Sequence, residues 1–429
     1  MISLAYGALW LFIFAVPWEN MIVIPGVGTI SKLLGIVALG CALLAAVLSG
    51  RLRRWRLFHL AALLFVMWTG WNTYQGGIVK VGDALGTLNK FKTYVQLFVV
   101  LWITWELAPT LRRQIGLLLA YLAGAYVAAL NTVLVYRSHA AVFRRFSAEG
   151  FDPNDLAMTL ALALPIAWYL GMTYRQPLLR WLCRGFLPLG LVAIGLSGSR
   201  GGLVAAVVGL TIVPLTMSKL SPGKIVAAIV LLMASGAIAI ASIPHSTLQR
   251  LSTTKAEMEG GDLNGRLEIW KAGIEALLQR PVAGYGTGGF DRAVRPFLGA
   301  GRAAHNSYLA VVVEQGLVGF LLFATMFLAV VPRVMKLPSL ERRFGLVLLA
   351  TVMTAMLPLS WDNQKTAWVI PALLVGLAEA TVQLRAGMAA QPAPARGATP
   401  VIRRPPPRAR ATTGSPPPGT PAATPGHDA

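Results

Sequence analysis

The stretch GRAAHNSYLAVVVEQGLVG, residues Gly301–Gly319, changes character at its centre. It is charged and polar up to Ser307. Beyond that it is apolar, broken only by Glu314-Gln315, and the apolar run continues to Val331. A polar loop here becomes a helix long enough to cross a bilayer, which needs roughly 20 apolar residues. His305 lies at the junction. Imidazole is the usual side chain for moving a proton near neutral pH. The positive end of a helix dipole disfavours imidazolium, so His305 is expected to stay neutral and able to act as a base. The competing reading is that His-Asn-Ser simply caps the helix at the membrane boundary.

Outward from this stretch, the same apolar pattern recurs along a chain of 429 residues, 55% hydrophobic and 13% charged. A soluble domain does not tolerate that balance, so the expected fold is an all-α polytopic membrane bundle. Twelve spans are predicted: Leu4–Pro17, Leu33–Leu48, Leu57–Tyr74, Tyr94–Leu107, Ile115–Tyr136, Leu156–Tyr174, Leu182–Leu196, Gly201–Met217, Ile225–Ile243, His305–Val331, Phe344–Ser360 and Thr366–Leu384. The first lacks the basic start and small-residue cleavage site of a signal peptide. Short loops such as RLRRWR (Arg51–Arg56) and the Arg175–Arg184 and Arg333–Arg343 turns are basic and nearly free of acids. The positive-inside rule places them in the cytoplasm together with both termini. Much of the net charge of +21 is therefore topogenic. The rest faces outward, where no nucleic acid is expected. Cys41 and Cys183 fall in or beside spans and build no disulfide framework.

Two domains follow. Residues 1–384 form the transmembrane part, with a large outer loop over 244–304. Residues 385–429, rich in Pro, Ala and Arg, form a tail that cannot build a core and is expected to be disordered. In the outer loop, NGRLEIWKAGIEALLQRP reads as an amphipathic helix. Leu267, Trp270, Ile274, Leu277 and Leu278 recur at helical spacing, Asn264 is placed to cap it, and Pro281 follows its end. Such a helix would lie on the bundle or membrane surface.

Outer arginines carry the chemistry. Arg200, in the tight turn GLSGSRGG, cannot swing far from the membrane, and its Ser and Gly neighbours admit a ligand close to the backbone. Arg266 begins the amphipathic helix, where a cation opposes the dipole unless an anion binds there. A guanidinium fork suits phosphate or pyrophosphate. The plain alternative is a solvated outer surface attracted to lipid headgroups. The run GYGTGG (Gly284–Gly289) lacks the Lys-Ser/Thr of a nucleotide loop and reads as a turn. Asp152, Asp155, Glu257, Glu259 and Asp262 show no ligand spacing for a metal, so neither metal nor cofactor is expected. Glu314 is the conspicuous ionisable residue inside a span, and it is expected to pair with an arginine or support its helix.

Four segments in order, RFSAEGFDPNDLA (Arg145–Ala157), SGSRGG (Ser197–Gly202), NGRLEIWKAGIEALLQRPVAGYGTGGF (Asn264–Phe290) and AHNSYLAVVVEQGLVG (Ala304–Gly319), resemble the bacterial O-antigen ligase and polymerase superfamily. The resemblance implies a GT-C-like membrane glycosyltransferase of the Gram-negative inner membrane with a periplasmic active site. Its donor would be undecaprenyl-pyrophosphate-linked O-antigen and its acceptor lipid A-core. It maps the functional histidine to His305 and the paired arginines to Arg200 and Arg266. Arg144 and Arg145 are implied as further donor or acceptor contacts, and Asn306 and Tyr308 as residues that orient the imidazole or touch a sugar. Polymerase and protein O-oligosaccharyltransferase activities stay open within the superfamily. A lipid-linked glycan flippase is the alternative of another class. Nothing in the sequence demands more than a monomer.

Overall fold

The computed structural model of the protein describes residues 2–50, 52–75, 84–139, 145–243 and 265–389. By contact clustering the chain divides into Met1–Ala386 and Gly387–Ala429. Of the second unit only 387–389, the end of a helix, are described. The tail from 390 onward lies outside the described residues, as do Arg144, Glu257, Glu259, Asp262 and Asn264.

Helices occupy nearly all of the first unit. In chain order they are α1 (Ile2–Ala15), α2 (Ile30–Ser49), α3 (Leu57–Gln75), α4 (Ala84–Leu107), α5 (Leu111–His139), α6 (Pro153–Thr173), α7 (Pro177–Leu196), α8 (Arg200–Leu210), α9 (Ile212–Thr216) and α10 (Pro222–Ser242). After the gap come α11 (Arg266–Gln279), α12 (Phe290–Leu298), α13 (Ser307–Leu328), α14 (Val331–Met335), α15 (Ser339–Ala355) and α16 (Lys365–Ala389). Among the described residues the only strands are a two-residue pair, Val23–Ile24 against Gly28–Thr29, in the α1–α2 connection.

Eight segments are long and apolar enough to cross a membrane, including Arg200–Lys219 (α8, α9 and the turn after them) and Ser307–Met335 (α13 and α14). The protein is therefore an all-α, multi-pass membrane protein. The other four expected spans are also helical but fall short of that description. The α1 helix has 14 residues and α15 has 17. The α3 and α4 helices are long enough but carry Thr69, Asn72, Thr73, Lys90 and Lys92. Several of those polar groups find partners across the bundle, Asn72 with Gln315, Thr73 with Thr287 and Lys90 with Glu314, so water is not needed to satisfy them.

Position in the bundle is not written in apolarity. The apolar windows of α6 and α16 are 89% and 83% buried, whereas those of α2 and α10 are each 17% buried. Lipid is as apolar as leucine, so central and peripheral helices look alike in composition. Small residues distinguish the centre. The α6 helix packs against α5, α7, α8 and α15, and Ala157, Ala161, Ala163, Ala167 and Gly171 let those neighbours approach. At Gly201 a Cβ would come within 2.7 Å of both Met158 Cε and Pro358 Cγ, so the start of α8 is held against α6 by the absence of side chains.

The α13 helix breaks at Gly316, whose φ of 65° and ψ of −173° suit glycine alone. The break frees backbone groups, and the glycine-rich turn meets them. Tyr285 N donates to Val313 O at 3.0 Å and Gly286 N to Glu314 O at 2.8 Å, while Leu317 N donates to Pro281 O at 2.8 Å. The GYGTGG run is thus a clamp on a broken helix. A Cβ on Gly316 would collide with the Val282 carbonyl. Gly316→Ala is expected to cost about 3 kcal/mol or more, from backbone strain plus this collision. A lowered midpoint of thermal unfolding in detergent checks this. An unchanged midpoint would mean that the break tolerates a side chain.

Candidate active site

The α11 helix packs through its small residues. Its buried residues are Ala272, Gly273 and Ala276, whereas Leu267, Ile274 and Leu278 are exposed. The small face packs with Phe290, Ala293 and Val294 of α12 and Ala310 and Val313 of α13. Small side chains permit that approach, and the large ones are turned toward the surroundings, as expected of a helix at a membrane surface. Gly265, in the left-handed conformation at φ 76°, begins the helix. On one edge of α11, Trp270 Nε1 donates to the Ala304 carbonyl at 2.9 Å. Arg266, one turn before Trp270, is thereby carried toward the residue after Ala304, which is His305.

His305 is held from both sides. Behind it, Ala304 is buried and tied to Trp270. Ahead, Asn306 Oδ1 caps α13 by accepting from Leu309 N at 3.0 Å. Ser307 N donates to Met356 O at 2.9 Å, its hydroxyl donates to Leu359 O at 2.6 Å, and it accepts from Trp361 N at 2.7 Å. Between these anchors His305 has φ 47°, the one positive value on a non-glycine residue among those described. The left-handed backbone turns the imidazole out of the packed segment. Strain of this kind, about 1–3 kcal/mol, persists only where the surroundings over-determine it, and it concentrates at functional sites.

Arg200 occupies the corresponding place on α8. Ser199 caps that helix by accepting from Gly202 N at 3.2 Å, and Gly198 turns the chain at φ 59°. Arg200 and Arg266 are therefore the first residues of two helices, each adding a cation where backbone N–H groups already favour an anion. Burial, and then the Arg200 charge, pull the Arg266 guanidinium below its ordinary value. Burial, and then the Arg266 charge, lower His305, while Asp152 opposes the change. Arg266 thus links the other two electrostatically, to Arg200 on one side and to His305 on the other, and His305 is favoured as the neutral base.

Asp152 was noticed in the sequence only as a weak metal candidate. It caps α6, accepting from Asn154 N at 2.8 Å and Asp155 N at 3.4 Å. The Asp-Pro step before an apolar run is a helix-start signal. Nothing local could have shown that its charge acts on His305. Asp155, its companion in that expectation, accepts from Trp361 Nε1 at 2.9 Å. Asp152→Asn keeps a capping side chain but removes the charge that supports imidazolium. The acid limb of a pH–rate profile governed by His305 should therefore move to lower pH. A limb that stays put or rises would separate Asp152 from the histidine.

The remaining candidates have local duties. Arg145 Nε donates to Ser197 O at 2.8 Å, and a terminal nitrogen donates to Asn154 Oδ1 at 2.7 Å. It joins the turn before α8 to the start of α6. Tyr308 is turned away: its hydroxyl donates to Met353 O at 2.9 Å on α15. Asn306 spends its carbonyl oxygen on the cap. Glu314 pairs not with an arginine but with Lys90, at 2.8 Å, and also accepts from Gly288 N at 2.8 Å. Lys90 bridges to Asp362 at 3.0 Å, and Tyr94 donates to that same carboxylate. Sequence reading missed this buried network because its members lie on three helices or loops far apart in the chain.

Comparison with known proteins agrees with this region. The family model described as O-antigen ligase matches residues 185–324, which include Arg200, Arg266 and His305. An uncharacterized protein of Haemophilus influenzae is 21% identical over 182 residues. That alignment covers 38% of this chain and 45% of the relative, so the chain spans less than half of that protein's length. Residues 185–324 are thus similar to the O-antigen ligase family, a match over about a third of the chain that supports a place in the O-antigen ligase/polymerase superfamily of glycosyltransferase-like ligases and polymerases.

Proposed function

We propose that the protein is an O-antigen ligase of a Gram-negative inner membrane, with twelve spans, both termini cytoplasmic and the site on the periplasmic side. It transfers O-antigen from undecaprenyl pyrophosphate to lipid A-core. The observation that carries this reading is the electrostatic linkage of His305 and Arg200 through Arg266 at helix starts beside the membrane. Neutral His305 takes the proton of an acceptor hydroxyl as that oxygen attacks the anomeric carbon. The bond from that carbon to the pyrophosphate oxygen breaks, its electron pair stays on the leaving group, and the configuration inverts. Arg200 and Arg266 hold the pyrophosphate and stabilise the charge that grows on it. They supply the positive charge for which a metal ion would otherwise be recruited, so the reaction is expected to proceed in EDTA.

The test is transfer by purified protein from undecaprenyl-pyrophosphate-linked glycan to lipid A-core, with EDTA present. Glycan on lipid A-core supports the ligase. Longer lipid-linked chains instead would identify a polymerase, whose donor half-site would be the same. Folded protein that consumes no donor would overturn both readings.

A further inference from the structure

A pocket adjoins the segment before the histidine, and unlike the arginine pair its wall carries both signs of charge. It is a cavity of about 290 Å³, at the small end of ligand-binding volumes. Ala303 and Ala304 form part of its wall, so it lies against the two residues that precede His305. Asp291, Glu314, Lys90 and Ser360 line the rest of its polar surface with Arg302. Asp291 is half satisfied. One oxygen accepts from Arg295 at 3.1 Å, while Oδ1 is buried with no hydrogen-bond partner among the described residues. A buried carboxylate oxygen without a donor is costly and marks a place for one.

We infer that this cavity is a subsite for an uncharged pyranose ring of the acceptor glycan, with Asp291 Oδ1 accepting a sugar hydroxyl. The inference rests on the proposed transfer reaction and adds to it where the acceptor sits. Asp291 and Glu314 are matched on the wall by Lys90 and Arg302, so the pocket is close to charge-balanced and, with Asp291 Oδ1 left to accept a hydroxyl, suits an uncharged sugar where Arg200 and Arg266 suit pyrophosphate. Position agrees with this division. Ala304 is shared: its surface lines the cavity, and its carbonyl is held by Trp270 on the helix that Arg266 begins. His305 therefore follows a residue shared by a charge-balanced pocket and the arginine-bearing helix, where a base must be if it is to pass a hydroxyl from the first to a centre held by the second. A pyranose of the donor glycan has the same surface chemistry, and kinetics separate the two sources.

The test uses full-length protein in detergent and a core oligosaccharide freed of lipid, observed by saturation-transfer NMR. Asp291→Ala removes the acceptor oxygen, Ala303→Leu fills the cavity from its wall, and Arg295→Ala breaks the exposed ion pair while leaving the wall intact. Wild type and Arg295→Ala should bind the oligosaccharide, and the other two should bind at least tenfold more weakly. In transfer assays the acceptor KM should rise in those two, with the donor KM unchanged. No binding by wild type, or equal binding by all four proteins, overturns the subsite. A donor KM that rises instead assigns the cavity to the donor and overturns it as an acceptor site. If the binding pattern holds but lipid A-core is never glycosylated, the ligase reading fails while a glycan subsite stands.

Discussion

His305→Gly is expected to slow glycan transfer by about 10²–10⁴-fold while leaving the protein folded. Glycine is the informative replacement because position 305 adopts φ 47°. There a Cβ is a liability, and glycine relieves the strain as it deletes the base. Alanine would confound the two effects by keeping the strain. Asn306 and Ser307 anchor the following turn through their own bonds, so the start of α13 should survive the substitution. Single-turnover transfer and thermal unfolding, measured together, check both halves. Activity within tenfold of wild type would remove His305 from proton transfer and return the HNS sequence to a helix cap. In the wild type, burial and Arg266 hold the imidazole below its ordinary value. Activity should therefore persist to pH values below the usual histidine range, and fall only as the ring finally takes up its proton.

Arg266→Ala should cost about 10²–10³ in kcat/KM, the scale of removing one preorganised donor from a developing anion. Its stability effect should run the other way. Arg266 is partly buried at the start of a helix and feels the Arg200 charge, and both circumstances disfavour a guanidinium. The alanine variant should melt no lower than wild type, or higher. Loss of function with no loss of stability is the signature of a residue kept for its ligand. Inorganic pyrophosphate, binding only the folded state, should raise the melting temperature of wild type and do so much less in Arg266→Ala. Arg266→Lys keeps the charge without the two-pronged geometry, and should recover only part of the rate. An equal pyrophosphate shift in all three proteins would detach Arg266 from the anion.

Some of this was legible along the chain because it depends on neighbours in sequence. An apolar run satisfies its own backbone by coiling, so each of the twelve expected spans is helical, from α1 to α16. Helix starts are local too: Asp152 before Pro153, Ser199 before Arg200 and Asn306 before Ser307 all cap as their side chains suggest. The α11 helix begins and ends where its sequence indicates. Which residues pack was not legible there, because Leu267, Ile274 and Leu278 of the apolar pattern are not the buried ones. Ala272, Gly273 and Ala276 are, and they carry little weight in a hydrophobic pattern.

The sequence by itself determined a multi-pass helical membrane protein and its helix starts, and it picked out a histidine and two arginines as the groups worth attention. Those conclusions rest on hydrogen bonding within a segment and on the bilayer as a solvent. Only the tertiary structure decided that Arg266 interacts with both His305 and Arg200, that the Asp152 charge acts on the imidazole, and that Lys90 joins Glu314 to Asp362. Each of those depends on distances between residues tens to hundreds of positions apart. Coulomb interactions act through space, and a pattern read along a chain carries no record of where its distant parts will meet.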